Sequence, residues 1–88
     1  VTSPAPAEPG QPLTGREIQV ITGMANGEEN RQIAERLGLS VNTVKSHSSR
    51  IYRKLAARDR AHAVGLAIAT RQLPPRAVQI TAPPQPKT

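Results

Sequence analysis

The stretch VNTVKSHSSRIYRKL, residues 41–55, concentrates the side chains that could meet an anion. At 3.6 residues per turn, Val41, Val44, Ser48, Ile51 and Leu55 share one side, with His47 and Tyr52 at its edges. The opposite side collects Asn42, Ser46, Ser49 and Arg53, flanked by Lys45 and Arg50, and has neither a carboxylate nor a large apolar group. An ordinary solvated helix face mixes both signs of charge. A face of cations and short hydrogen-bonding groups therefore points to an anionic partner.

The same stretch contains SHSS, which raises nucleophile-and-base chemistry at His47. Adjacent residues on a helix point about 100° apart, so the flanking serines cannot reach the ring in triad geometry. The neighbours three or four residues away are Thr43, Val44, Arg50 and Ile51, and none is a carboxylate that could orient the imidazole. A packed or phosphate-near histidine is the better reading. His62 stands alone, no His, Asp or Glu group has metal-ligand spacing, and there is no Gly-rich phosphate loop. No enzymatic activity, metal or cofactor is expected.

The elements that must position this face are marked by local signals. LTGREIQVI opens with a reciprocal cap between Thr14 and Glu17, and Leu13 and Ile18 occupy the two positions of a hydrophobic staple. A first helix runs to about Ala25 and stops at Asn26-Gly27. Glu17 is read as a capping carboxylate. A second, short helix spans about residues 30–37 and ends at Gly38, and Ser40 is the N-cap of the third. A helix-turn-helix needs a small residue inside its first helix, a Gly at the turn and apolar residues at the crossing. Ala34, Gly38, Ile33, Leu37, Leu39 and Val44 meet those needs. A fourth helix starts at Asp59 and runs to Leu73, where Pro74-Pro75 blocks it. Its wide apolar surface either completes the core alone or serves a second copy as well.

Composition sets the outer limits. All nine prolines lie outside residues 13–73, so residues 1–12 and 74–88 read as disordered Pro/Ala-rich tails or linkers. About 60 residues remain for a fold, which then buries roughly 60% of the surface its unfolded chain exposes. Tyr52 is the only aromatic and there is no cysteine, so the core is aliphatic and neither a disulfide framework nor a thiolate metal site is available. No apolar run approaches the ~20 residues of a membrane span, and no signal peptide is recognisable. A cytoplasmic location is expected. Net charge is +6, and the excess cations sit on residues 42–60, the footprint of nucleic-acid binding.

In order, LTGREIQVI, GEENRQIAERLGLS, NTVKSHSSRIYRKL and RDRAHAV resemble the LuxR/GerE-type helix-turn-helix, whose signature is LTxRE, a Gly before the second helix, Asn followed by IA, TVKxH, IxxKL and a downstream Arg and Ala. The resemblance covers residues 13–73. It implies an all-α fold of four helices, the third lying in the major groove of double-stranded DNA and the fourth commonly forming a two-fold dimer. Carried onto this chain, Thr43 and Lys45 would contact phosphate, and Ser46, Ser49 and Arg50 would contact bases. Serine reads either base edge, so specificity is expected to lean on Arg50, Arg53 or Asn42. His47 and Lys54 complete the expected DNA-facing set, and Ala63, Val64, Ala67 and Ile68 the dimer face. Glu29 stands where a capping Ser or Thr is usual. Ala56 and Gln72 replace glycines often seen after IxxKL and at the end of the last helix.

Three functions compete. The first is sequence-specific DNA binding by a transcriptional regulator, either whole or as its C-terminal effector domain, associated with the nucleoid when bound and with no small-molecule site of its own. The second is a protein-interaction adaptor that uses the last helix or the Pro-rich tails on a partner such as RNA polymerase; a helix-turn-helix scaffold does not prove DNA binding. The third, a basic amphipathic membrane-surface element, does not explain the caps and the Gly turn. The first accounts for the spacing and the charge placement together.

Overall fold

The computed structural model describes residues 7–77, which form four α-helices and a closing turn. These are α1 (Gly15–Ala25), α2 (Asn30–Leu37), α3 (Val41–Leu55) and α4 (Arg60–Ala69), followed by a 3₁₀ turn at Pro75–Ala77. No strand occurs among the described residues, so the fold is all-α as expected. The disorder expected at the ends falls partly on residues 1–6 and 78–88, which lie outside the described residues.

Each helix begins where a side chain can satisfy the backbone N–H groups that a helix leaves open. Thr14 Oγ1 accepts from the Glu17 N–H at 3.1 Å, and Glu17 Oε1 accepts from the Thr14 N–H at 2.9 Å. Ser40 Oγ accepts from Thr43 N–H, and Asp59 Oδ1 from His62 N–H. At Glu29 the reciprocal half of a cap is present: Gln32 Oε1 accepts from the Glu29 N–H at 2.8 Å. α2 ends at Gly38 with φ 69, and the Gly38 and Leu39 N–H groups close its last turn onto Glu35 and Ala34. That left-handed residue makes α3 cross α2 after a turn of only three residues.

The core is aliphatic. Val20, Ile21, Ile33, Val44, Ile51, Ala63, Ala67 and Leu73 are fully buried, with Leu13, Met24 and Ala34 nearly so. α3 packs on α1, α2 and α4 and buries Val44, Ser48 and Ile51. The two ends of its expected apolar side differ: Val41 is exposed and Leu55 half-buried, because the first turn precedes the crossing and the last passes beyond it.

α1 carries a small residue that packing requires. A Cβ on Gly23 would lie 2.5 Å from Glu28 Oε1, 2.7 Å from Ile33 Cγ1 and 2.8 Å from an Arg36 guanidinium nitrogen. Glu28 and Arg36 form an ion pair over this crossing at 2.7 Å, and an Arg60 N–H donates to the Glu28 carbonyl.

α4 is shorter than expected, ending at Ala69 rather than Leu73. Arg71 takes a left-handed conformation, φ 62, and the Gln72 and Leu73 N–H groups both donate to the Ala67 carbonyl. A helix continued to Leu73 would carry that side chain off the end of the domain; the reversal buries it completely. Gln72, expected at a glycine position, uses its side chain instead: Oε1 accepts from the Leu13 N–H at 2.6 Å and ties the two ends of the domain together. Ala56 does take the glycine conformation, φ 53, at the end of α3.

Candidate nucleic-acid interface

α3 presents its polar side outward on a helix held at both ends. Asn42, Lys45, Ser46, Ser49 and Arg53 are exposed, while Thr43, His47 and Arg50 are half-buried. Asn42, Ser46, Ser49 and Arg53 recur at spacings of four, three and four and so form one stripe along the helix. Ser46 Oγ donates to the Asn42 carbonyl, and Thr43 Oγ1 lies 2.8 Å from Ser40 Oγ, which fixes the first turn. The face carries no carboxylate, so its potential is set by Lys45, Arg50 and Arg53 together.

Beneath its C-terminal half lies a buried charge cluster. Glu17, 1% exposed, receives Lys54 Nζ at 2.7 Å on one oxygen and Arg50 Nε at 3.1 Å on the other. Burial pushes the Glu17 carboxyl up, but hydrogen bonds from Lys54, the Thr14 N–H and Arg50 outweigh it and hold the group below its ordinary value. The carboxylate that caps α1 thus also fixes the pitch of α3.

This arrangement corrects part of the expected set. Lys54 does not face outward with Lys45; it is 5% exposed and also donates to the Pro12 carbonyl. Its position, three residues after Ile51, turns its stem toward α1, where Glu17 compensates the ammonium. Ala63 and Ala67, expected on a dimer face, are fully buried against the core because α4 turns this edge inward. Val64 and Ile68 remain half-buried, beside the exposed Ala61 and Gly65.

Residues 11–67 match the family described as GerE, bacterial regulatory proteins, luxR family. The chain belongs to the LuxR family. It is 48% identical over 59 residues to the probable transcriptional regulatory protein SgaR of Hyphomicrobium methylovorum, covering 67% of this chain and 28% of that protein. It is likewise 48% identical over 61 residues to the uncharacterized transcriptional regulatory protein YxjL of Bacillus subtilis, covering 69% and 28%. To the transcriptional regulatory protein LnrK of the same organism it is 49% identical over 51 residues, 58% of this chain and 23% of that one. The chain thus spans under a third of the length of these relatives. As a LuxR-type helix-turn-helix it is a DNA-binding domain of transcriptional regulation.

Two features of this LuxR-type domain escaped the sequence reading. One is the second role of Glu17, invisible because its partners lie 33 and 37 residues away. The other is residues 7–12, assigned above to a tail, which contact the end of α3. The Arg53 Nε–H donates to the Ala7 carbonyl, and the Gly10 N–H to the Lys54 carbonyl at 2.9 Å. Ala7 is buried. The Pro9-Gly10 pair was the available signal, since Pro followed by Gly specifies a type II turn.

Proposed function

We propose that α3 lies in the major groove with Asn42, Ser46 and Ser49 toward the base edges and Thr43 and Lys45 on flanking phosphates. Arg50, positioned by Glu17, and Arg53 extend the cationic contact toward the C-terminal end of the helix. The observation that carries this reading is the exposed, carboxylate-free stripe on a helix whose first turn is capped and whose opposite side buries Val44, Ser48 and Ile51. Asn42 is the side chain suited to bidentate reading of adenine, worth about 1–3 kcal/mol of discrimination. His47 sits at the edge of the stripe, near a phosphate.

Two copies are proposed to meet on DNA through the outer side of α4, where Val64 and Ile68 remain partly exposed, on half-sites about one helical turn apart. No helix among the described residues is long and apolar enough to cross a membrane. The proposed site of action is DNA in the bacterial cytoplasm.

The test is fluorescence-anisotropy binding to a random-sequence duplex across a salt series. Native protein should bind with a steep negative slope of log K against log salt, and Lys45→Ala should flatten it by about 0.9, the counterion equivalent of one phosphate contact. Selection of a preferred duplex should then be lost in Asn42→Ala. A slope untouched by Lys45→Ala would remove α3 from the DNA.

A further inference from the structure

Residues 8–11, Glu-Pro-Gly-Gln, form a closed turn. The Gln11 N–H donates to the Glu8 carbonyl at 3.2 Å, the Glu8 N–H donates to Gln11 Oε1 at 2.9 Å, and Gly10 has φ 89. Pro9 ahead of a positive-φ Gly10 is the sequence form of a type II turn. The turn is anchored to the recognition helix at three points. Ala7, 5% exposed, offers its carbonyl to Arg53 Nε; the Gly10 N–H caps the Lys54 carbonyl; and the Pro12 carbonyl takes Lys54 Nζ at 3.2 Å. Residues 7–12 are therefore a strap across the end of α3, held by its own hydrogen bonds and by a buried side chain.

One anchor uses a residue of the DNA-facing stripe. Arg53 follows Ser49 by one turn on the same line as Asn42 and Ser46, and its side chain is bent back to a neutral backbone carbonyl. A phosphate is the stronger acceptor: hydrogen bonds between two charged groups are shorter and roughly twice as strong as neutral ones. The strap holds the Nε–H, and a phosphate taken side-on by the Nε–Nη edge of the guanidinium fork needs that same N–H. Strap and phosphate therefore compete.

We propose that the strap is an autoinhibitory latch on the recognition helix, which withholds Arg53 from DNA while closed and yields it when open. The inference rests on α3 lying against DNA, as proposed above. Because coupling between two binding events is reciprocal, duplex binding loosens the strap, and whatever draws the strap off α3 raises affinity for duplex. The segment entering the domain at Ala7 thereby gains a route to the recognition helix that uses no movement of the core.

The experiment has two parts. In native protein, amide hydrogen exchange at Gly10 is followed with and without a 20-base-pair duplex, a length of about two helical turns. Faster exchange on duplex supports the latch; unchanged or slower exchange overturns it. In the second part Gly10→Ala, which strains the positive-φ position, and Ala7→Gln, which puts a larger neutral polar side chain where a methyl is buried, each open the strap. Either variant that folds should bind random duplex roughly fivefold more tightly at low salt, within the range of ordinary site-to-site coupling. Its salt slope should be steeper by about 0.9. Both gains should vanish when Arg53→Ala is added. Affinity that does not rise, or that rises equally without Arg53, refutes the latch while leaving DNA binding by α3 intact. Native protein that fails to bind duplex at any salt refutes the reading on which the latch rests.

Discussion

Replacing Lys54 by methionine tests whether this lysine serves the fold or the proposed DNA face. Methionine keeps an unbranched stem in the same space and removes only the ammonium. Glu17, 1% exposed, then loses its 2.7 Å partner and keeps the Thr14 N–H and the Arg50 Nε–H. Removing one partner of a buried ion pair costs about 3–5 kcal/mol, because the remaining charge stays buried. Arg50, still bonded to the second oxygen, recovers part of this, which places the loss at about 2–4 kcal/mol. At about 4–8 °C per kcal/mol for a domain of this size, the melting temperature should fall by roughly 8–32 °C, read by circular dichroism at 222 nm. Duplex binding, measured well below the variant's melting range, should show a salt slope no flatter than native, since Lys54 neutralises no phosphate and its ammonium's other bond is to the Pro12 carbonyl of the strap. Adding Glu17→Gln should cost less in the Lys54→Met background than alone, with a coupling of at least about 1 kcal/mol. Native melting with a flattened salt slope would refute the reasoning and return Lys54 to the interface.

The depressed Glu17 carboxyl has a pH signature of fixed sign. A folded-state value below the ordinary 4.5 means its contribution is whole above that pH and is lost as pH falls through the folded value. The urea midpoint should therefore drop from about pH 5 downward, and less steeply in Glu17→Gln; parallel curves would place the titration on other carboxylates. Gly23→Ala sets a helix-propensity gain of about 1 kcal/mol against a Cβ driven into Ile33, which is fully buried and cannot swing away. Overpacking costs about 1–3 kcal/mol, so net destabilisation of up to about 2 kcal/mol is expected; a melting temperature above native would show that the α1–α2 crossing relaxes freely. Ala56→Gly should do the opposite. It relieves a left-handed alanine at φ 53, worth about 1–2 kcal/mol, at an unfolded-state entropy cost of about 0.4–1 kcal/mol, and a thermal melt that moves downward would contradict the balance.

Most of α1, α2 and α3 was legible from residues, because their ends are decided within four residues of chain. Thr14 with Glu17, Ser40 with Thr43 and Asp59 with His62 each cap at a separation of three, and Gly27 and Gly38 stop helices by their own backbone freedom. The outward stripe of α3 was legible for the same reason: period alone separates Asn42, Ser46, Ser49 and Arg53 from Val44 and Ile51. The end of α4 was not. Local pattern extends that helix to Leu73, whereas burial of Leu73 against distant core residues requires the chain to reverse at Arg71.

Sequence by itself thus determined the four-helix order, the helix starts and the cationic face, all consequences of caps, turns and a 3.6-residue period that act at short range. Tertiary structure decided which charges on α3 are available. Lys45 and Lys54 are both lysines of one basic helix, but only packing against α1 sets Lys54 on Glu17, 37 residues away, and leaves Lys45 in solvent. It also decided that Ala63 and Ala67 are core, and that Glu-Pro-Gly-Gln closes over the end of α3, where Arg53 meets the carbonyl of a residue 46 positions earlier. Burial and ion pairing depend on which surfaces meet after the chain has folded, and no local pattern encodes that meeting.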